Sequence, residues 1–365
     1  MPTSTRCIAT ITHITHTMPG IAQGKAENGS GLSIPFTAYT DTVGTPEVGD
    51  SIILNTTGIS LGLGTGGTAF AVAVLTPGGD VRSGEANSPD DHIVKARYTS
   101  DQTAVIPIET HPDYAESPLP GTPVVVCMLH SQLPAVCAAI RIQNPELRIA
   151  YIATDGGALH AAFSQTLRKL TASGWLCGCI TAGQAMGGDF EAVTVASALC
   201  GAVSVLKADI VVICQLPGNA GTGTTFGHSG LEQGMWLDIA QRLGGRSIAT
   251  LRASSSDPRS RHQGTSHHSQ TVLGVTSGHG HLVAVPRDAA GDLAGSDHDW
   301  TQRQLVAPVD IPDIREICSS AGVTLRTMGR SYDEDSLIFQ CAAAAGTLAC
   351  SLHRRSDVRS NEDMK

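Results

Sequence analysis

The chain has 365 residues, 41% of them hydrophobic and 16% charged, with 40 glycines, 4% aromatics and a formal net charge of −9. That length suits two domains, or one large domain with an appendage, and the residue balance suits a globular fold. The negative charge argues against a general nucleic-acid or membrane-surface binder, because no global positive field attracts phosphates.

No apolar run approaches the ~20 residues of a membrane span, and Met1–Arg6 lacks an uninterrupted apolar h-region, so no signal peptide is expected. The ten cysteines mostly sit in apolar contexts, as Cys127, Cys137, Cys200, Cys214 and Cys341 do. Only Cys177 and Cys179 are close together, and a lone C-x-C carries little metal information. Reduced core thiols in a cytoplasmic protein are the expectation.

Residues 1–110 show almost no helical periodicity. Cys7–Thr12, Ile34–Tyr39, Ser51–Asn55, Thr68–Leu75, Ile93–Tyr98 and Ala104–Ile108 read as short strands separated by turns, which predicts a small barrel or sandwich. Leu61–Gly67 is glycine-dense, but no Lys-Ser/Thr and no helix follow, so it reads as a hairpin or bulge rather than a phosphate loop. Lys95 and Arg97 fall on one face of their strand by period two. Four residues of 111–122, namely Pro112, Pro118, Pro120 and Gly121, mark a linker.

From Pro123 the pattern changes. Pro123–Leu129, Arg148–Thr154, Gly178–Gly183, Asp209–Cys214 and Ser247–Leu251 are apolar runs of the kind buried on both faces. Helical stretches at 133–142, 159–172, 191–206 and 231–243 follow the first four. This alternation predicts an α/β domain over 123–350, with a mainly parallel, doubly wound, Rossmann-like sheet. Residues 272–285 read as a strand pair, 288–305 as irregular, 311–321 as helix, 323–328 as strand and 333–350 as helix. Residues 351–365 read as a disordered tail.

In such sheets ligands bind outside the C-terminal ends of the strands, and here each exit loop is chemically loaded. The loops supply His130 and Ser131, Asp155, Asp189 and Glu191, a glycine loop over 217–230, and a cluster with Arg252, Asp257, Arg259, Arg261, His262, His267 and His268. The glycine loop offers Gly221, Thr222, Gly223 and Thr224 before a helix start near Ser229, where backbone amides favour anions. Ser229 with Glu232 reads equally well as a capping box. Arginines suit phosphate or carboxylate; histidines and Asp155 suit acid–base work. The spacing H-x4-H-H matches no common zinc pattern, so no metal ligands are assigned. Gly227–His228–Ser229–Gly230–Leu231 misses the G-x-S-x-G elbow by one residue.

The stretches LNTTGISLGLGTGG, HIVKARYT, VVVCMLHSQLPAV, YIATDGGAL, GGDFEAVTV, GTGTTFGHSGLEQG and DPRSRHQGTSHH together resemble the bacterial domain-of-unknown-function family 3866, nearly to residue 350. The resemblance implies a cytoplasmic, mostly actinobacterial protein and brings no catalytic residues or cofactor with it.

The expectation is therefore an enzyme or binder for a small anionic molecule, phosphorylated ones included, at the C-terminal sheet edge. Arg252, Arg259 and Arg261 hold its charge, the 222–229 amides hold a second anionic group, and His262, His267, His268 and Asp155 serve as acid or base. A non-catalytic homodimeric regulatory or assembly module and a metal-dependent hydrolase are the alternatives. Nucleic acid and membrane are not expected partners.

Overall fold

The computed structural model describes residues 5–62, 67–84, 93–276, 279–295 and 299–362. The chain divides into two units, Met1–Val105 and Ile106–Lys365. In the first, β1 (Arg6–Met18), β2 (Ile21–Asn28), β3 (Ser33–Ala38), β4 (Ser51–Asn55) and β5 (Ala69–Leu75) close a barrel in the order β1-β2-β3-β5-β4. Only β3 and β5 pair in parallel, so this is a five-stranded Greek-key barrel. Two single turns, α1 (Thr40–Val43) and α2 (Thr57–Ser60), complete it. Period-two patterning builds the core: Ile52 and Leu54 point in while Ser51, Ile53 and Asn55 do not, and Ile11, Phe36 and Val74 meet them. The turn before β4 is fastened by Asp50, which accepts from the Glu47 amide (2.8 Å) and from Arg82 Nε (2.6 Å).

A separate antiparallel pair, β6 (Ile93–Lys95) and β7 (Thr103–Val105), ends the unit. Its first strand stops at Lys95, because Ala96 takes a left-handed φ of 48°. Lys95 is buried and Arg97 exposed, so the two cations do not share the strand face expected of them. Most of the glycine-dense stretch, residues 63–66, lies outside the described residues.

The second unit runs, in chain order, β8 (Pro123–Val126), α3 (Leu133–Gln143), β9 (Ile149–Thr154), α4 (Gln165–Ala172), β10 (Gly178–Ala182), β11 (Phe190–Ala192), α5 (Val195–Ser204), β12 (Ile210–Gln215), α6 (Glu232–Arg242), β13 (Arg246–Thr250), β14 (Ala253–Ser254), β15 (Gly264–Thr265) and α7 (His267–Val275). Then come β16 (Leu282–Pro286), α8 (Ala290–Leu293), β17 (Leu305–Val309), α9 (Arg315–Ser320), β18 (Arg326–Thr327), β19 (Arg330–Ser331) and α10 (Leu337–Glu362). Eight strands form one sheet, order β11-β10-β9-β12-β8-β13-β16-β17, every pair parallel. This is the expected Rossmann-like architecture.

Strand residues alternate between two cores. Val125, Tyr151 and Val212 face α3, α4 and α10, while Val126, Ile152 and Ile213 face α5, α6 and α7. Helix α10 crosses α3 closely at Gly346, where a Cβ would stand 2.4 Å from the Val136 carbonyl oxygen. The chain winds outward from β9 to β11, returns to insert β12 beside β8, and then winds the other way through β13, β16 and β17. The reversal lies beside β8, so the exit loops of β8, β12 and β13 border the crevice where such sheets take ligands.

Several local expectations are corrected. The helix expected over 191–206 is preceded by β11 and begins at Val195, after the Thr194 cap (Thr194 Oγ1 accepts from Ser197 N). The first helical turns expected from Leu159 are replaced by a single 3-10 turn at Ala161–Phe163, and α4 starts at Gln165 behind the Ser164 cap. The apolar residues of 272–285 split between a helix and a strand. His268, Ser269, Val272 and Leu273 are buried at helical spacing in α7, and the strand pair is only β16. Edge strand β17 begins at Leu305, the last residue of the stretch expected to be irregular, and continues through apolar side chains that are half exposed. Residues 111–122 pack onto the sheet unit: Leu119 is fully buried and its amide donates to the Leu243 carbonyl (2.6 Å). Helix α10 continues past residue 350 to Glu362; Ser351–Glu362 contains neither proline nor glycine to stop it.

Candidate functional site at the sheet switch

Two buried glutamines lock the strand ends that carry the site. Gln132 Oε1 accepts from the amides of Met128 (3.1 Å) and Leu129 (3.0 Å) and from Thr250 Oγ1 (3.0 Å). Its Nε2 donates to the Leu251 carbonyl (2.8 Å). From α6, Gln233 Nε2 donates to the carbonyls of Val126 (2.7 Å) and Thr250 (3.0 Å). Irregular backbone at the ends of β8 and β13 would otherwise be left without partners in the core. Neither glutamine stood out in the sequence; an amide beside an otherwise apolar helix start is the only signal.

On this frame the loop after β13 gathers four histidines. Ser266 Oγ caps α7 by accepting from the His268 amide (3.3 Å) and lies 2.7 Å from His262 Nδ1. The rings of His262, His267 and His268 are 4.3–5.1 Å apart, centroid to centroid. His228, arriving from the loop after β12, stacks on His268 at 3.8 Å and 10°. Arg252 is 6% exposed, and its Nη1 donates to His268 Nδ1 at 2.8 Å. That is the one hydrogen bond its guanidinium makes among the described residues, and no carboxylate there lies within ion-pair distance of it.

The electrostatics follow from burial among cations. Burial, with Arg259, Arg330 and Arg261 nearby, lowers the Arg252 pKa to about 10, against some relief from Asp257, so the group stays charged at neutral pH. Burial and then Arg252 lower His262 to about 4. Burial, His228 and Arg252 hold His268 far below its usual value, and burial lowers His228 and His267 as well. The four rings are therefore neutral near pH 7, each with one N–H donor and one lone pair. Both ring nitrogens of His228 and Nε2 of His267 are buried without a hydrogen-bond partner. Buried polar atoms of this kind are normally met by an ordered water, an ion or a ligand.

Asp257 and Arg259, both expected in the site, act mainly as a brace. Asp257 is 2% exposed and takes Arg259 Nε and Nη2 at 2.9 Å each, with Arg330 Nη2 at 3.3 Å. The Arg259 hydrogen bonds, outweighing burial, drive the Asp257 carboxyl well below the usual carboxylate range. Asp335, 1% exposed, joins Arg330 Nε (2.9 Å) to Ser254 Oγ (2.5 Å). Arg261 is exposed and makes no hydrogen bond or ion pair among the described residues.

The glycine loop is built differently from the expectation. Gly221 and His228 form an antiparallel bridge. The amides of Thr222 and Ser229 donate to Gly227 and Ala220 carbonyls, and the Gly227 amide to Thr224 Oγ1. Those amides serve the loop itself, and Gly221 to Thr224 are exposed. Ser229 is not a helix cap either: its hydroxyl donates to Asn219 Oδ1 (2.6 Å) and accepts from the Ala220 amide, while α6 begins at Glu232 without a side-chain cap.

His130 and Ser131 border a different space, a cavity of about 280 Å³ that also touches Gln215, Asn219 and Arg326. His130 bonds Ser164 Oγ (2.6 Å) and lies 3.3 Å from Tyr151 Oη, and burial lowers its pKa to about 4. Ser131 pairs with Thr327 (2.9 Å). Asp155, at the end of β9, accepts from the Gln184 amide (2.9 Å); three strand steps, ~14 Å, separate β9 from β13. Glu191 is buried in β11, where Thr181 Oγ1 and the Gly187 amide each donate to it at 2.7 Å. Five strand steps, ~24 Å, part β11 from β13, and Asp189 likewise holds the Cys179 amide (2.8 Å). Neither carboxylate reaches the histidine cluster. All ten cysteines are free.

A family model described as "Protein of unknown function (DUF3866)" matches residues 36–346. No curated protein and no solved structure matches the chain. Among the described residues, no helix is long and apolar enough to cross a membrane.

Proposed function

We propose that this chain, which belongs to the DUF3866 family, recognises a small anionic molecule, phosphorylated ones included, at the exit of β13. The observation that carries the reading is Arg252: a buried cation whose guanidinium bonds a neutral ring and has no carboxylate partner among the described residues. Leaving a buried charge without an opposite charge is costly, and a bound anion supplies one. The unpartnered nitrogens of His228 and His267 add neutral donors or acceptors beside it, and exposed Arg261 adds long-range attraction at the rim. Asp257, Arg259, Arg330 and Asp335 keep the loop in place rather than touch the ligand. The anion lies within reach of His262, His267 and His268, which remain the acid–base candidates; Asp155 and Glu191 play no part in this reading.

The test is thermal stabilisation by inorganic phosphate, sulfate and succinate, with wild type against Arg252→Met and Arg252→Lys. Stabilisation grows with ligand as RT ln(1 + [L]/Kd). The reading expects a rise in wild type, a partial one in Arg252→Lys and none in Arg252→Met. Equal rises in all three would overturn it.

A further inference from the structure

We propose that His262, His267 and His268 form a transition-metal site, and that Arg252 makes its filling depend on the anion. One ring nitrogen from each histidine can be chosen so that all three lie within 4.8 Å of one another. With metal–nitrogen bonds of about 2.0–2.1 Å, a tetrahedral ion needs them roughly 3.4 Å apart, so the rings draw in by about an ångström on binding. The buried, unpartnered Nε2 of His267 is a ready ligand. His262 is oriented through its Nδ1 by Ser266 Oγ, the kind of outer contact that fixes a ligating imidazole and leaves Nε2 for the ion. Three imidazoles select Zn²⁺, Co²⁺, Ni²⁺ or Cu²⁺ over Mg²⁺ or Ca²⁺ and leave a fourth position open.

The dependence follows from hydrogen bookkeeping at His268. Arginine only donates, so the Nδ1 lone pair of His268 is occupied by Arg252 and the neutral ring carries its proton on Nε2. Ligation through Nδ1 needs that lone pair. Ligation through Nε2 moves the proton to Nδ1, which then cannot accept from arginine. By either nitrogen, the neutral ring binds metal only after Arg252 lets go. An anion that draws the guanidinium away frees His268, and it also screens the arginine from the incoming cation. Metal and anion then strengthen each other, by the same factor in both directions. The metal site stands on the histidines alone; its coupling rests on the anion reading above.

The experiment is a Co²⁺ titration of the full chain, followed by visible absorption and calorimetry, with and without excess sulfate. Wild type is expected to take one Co²⁺ with four-coordinate absorption bands, and sulfate to tighten it by about fivefold or more. His267→Ala is expected to lose roughly tenfold or more in affinity, whereas His279→Ala, on the surface away from the cluster, keeps it. Arg252→Met is expected to bind Co²⁺ more tightly than sulfate-free wild type and to ignore sulfate. Unchanged melting temperatures of the variants show that they fold. Absence of stoichiometric Co²⁺, or undiminished binding in His267→Ala, overturns the metal site. Tight binding indifferent to both sulfate and Arg252→Met overturns the coupling. Failure of sulfate to stabilise metal-free wild type instead refutes the anion reading, so the two failures are told apart.

Discussion

Glu232 gives a prediction whose sign and size both come from the structure. Its carboxylate receives Thr154 Oγ1 at 2.5 Å and lies near Asp155. Burial raises its pKa from 4.5 to about 7, with Asp155 adding to the rise and the Thr154 hydrogen bond opposing it. A folded-state pKa above the unfolded value means that the folded chain holds the proton more tightly. The resulting stability is full below pH 4.5 and is lost as pH rises through about 7. At about 1.4 kcal/mol per unit the whole loss is ~3 kcal/mol, of which roughly 2 kcal/mol falls between pH 5 and pH 8. Glu232→Gln keeps the size and removes the titration. Urea unfolding can be followed by tryptophan fluorescence, because Trp175, Trp236 and Trp300 all belong to the second unit. The variant should gain about 2 kcal/mol on wild type between those two pH values. A constant difference across that range, or a variant that loses ground as pH rises, would refute the reasoning.

Two further variants test the frame. Gln132→Leu keeps the volume but leaves two amides, one carbonyl and one hydroxyl buried without their present partner. At ~1–3 kcal/mol per orphaned group, the loss should exceed about 3 kcal/mol in urea unfolding, and a loss under about 1 kcal/mol would contradict the stitching role. Gly157→Ala would put a Cβ 2.1 Å from the Leu216 carbonyl oxygen and 2.9 Å from that of Pro217. Backbone must shift, so denaturant unfolding should show ~1–3 kcal/mol of destabilisation; unchanged stability would contradict this close approach of the β9 exit to the β12 exit.

Much of the fold is legible because strands buried on both faces read as continuous apolar runs. β8, β9, β12 and β13 were found that way, and the Cys7–Thr12 alternation located the first barrel strand. What escaped has physical causes. β11 has three residues, too few for a period, and β17 is five residues long and interrupted by Pro308, which argues against a strand in sequence and is tolerated at a sheet edge. Helix α7 begins with two histidines, of which His268 is buried by the site rather than by apolar patterning. The histidine–arginine cluster was readable because its residues are neighbours in sequence. His228 was not assigned to it, since its place depends on β12 and β13 flanking β8. Asp155 and Glu191 both looked like site residues because each follows a strand, yet strand order, which no single exit loop reveals, sends β11 to the sheet edge. Glu232 looked like half of a capping box, and only the packing against Thr154 shows a carboxyl poised to titrate.

The most direct test of the account is to locate an anion by its own scattering. Crystals of the wild-type protein grown with tungstate would give an anomalous signal at any bound tetrahedral anion. A peak is expected within hydrogen-bonding distance of the Arg252 guanidinium and beside the His228 ring, missing from Arg252→Met crystals grown identically. Peaks confined to exposed side chains such as Arg261, with none beside Arg252, would contradict it.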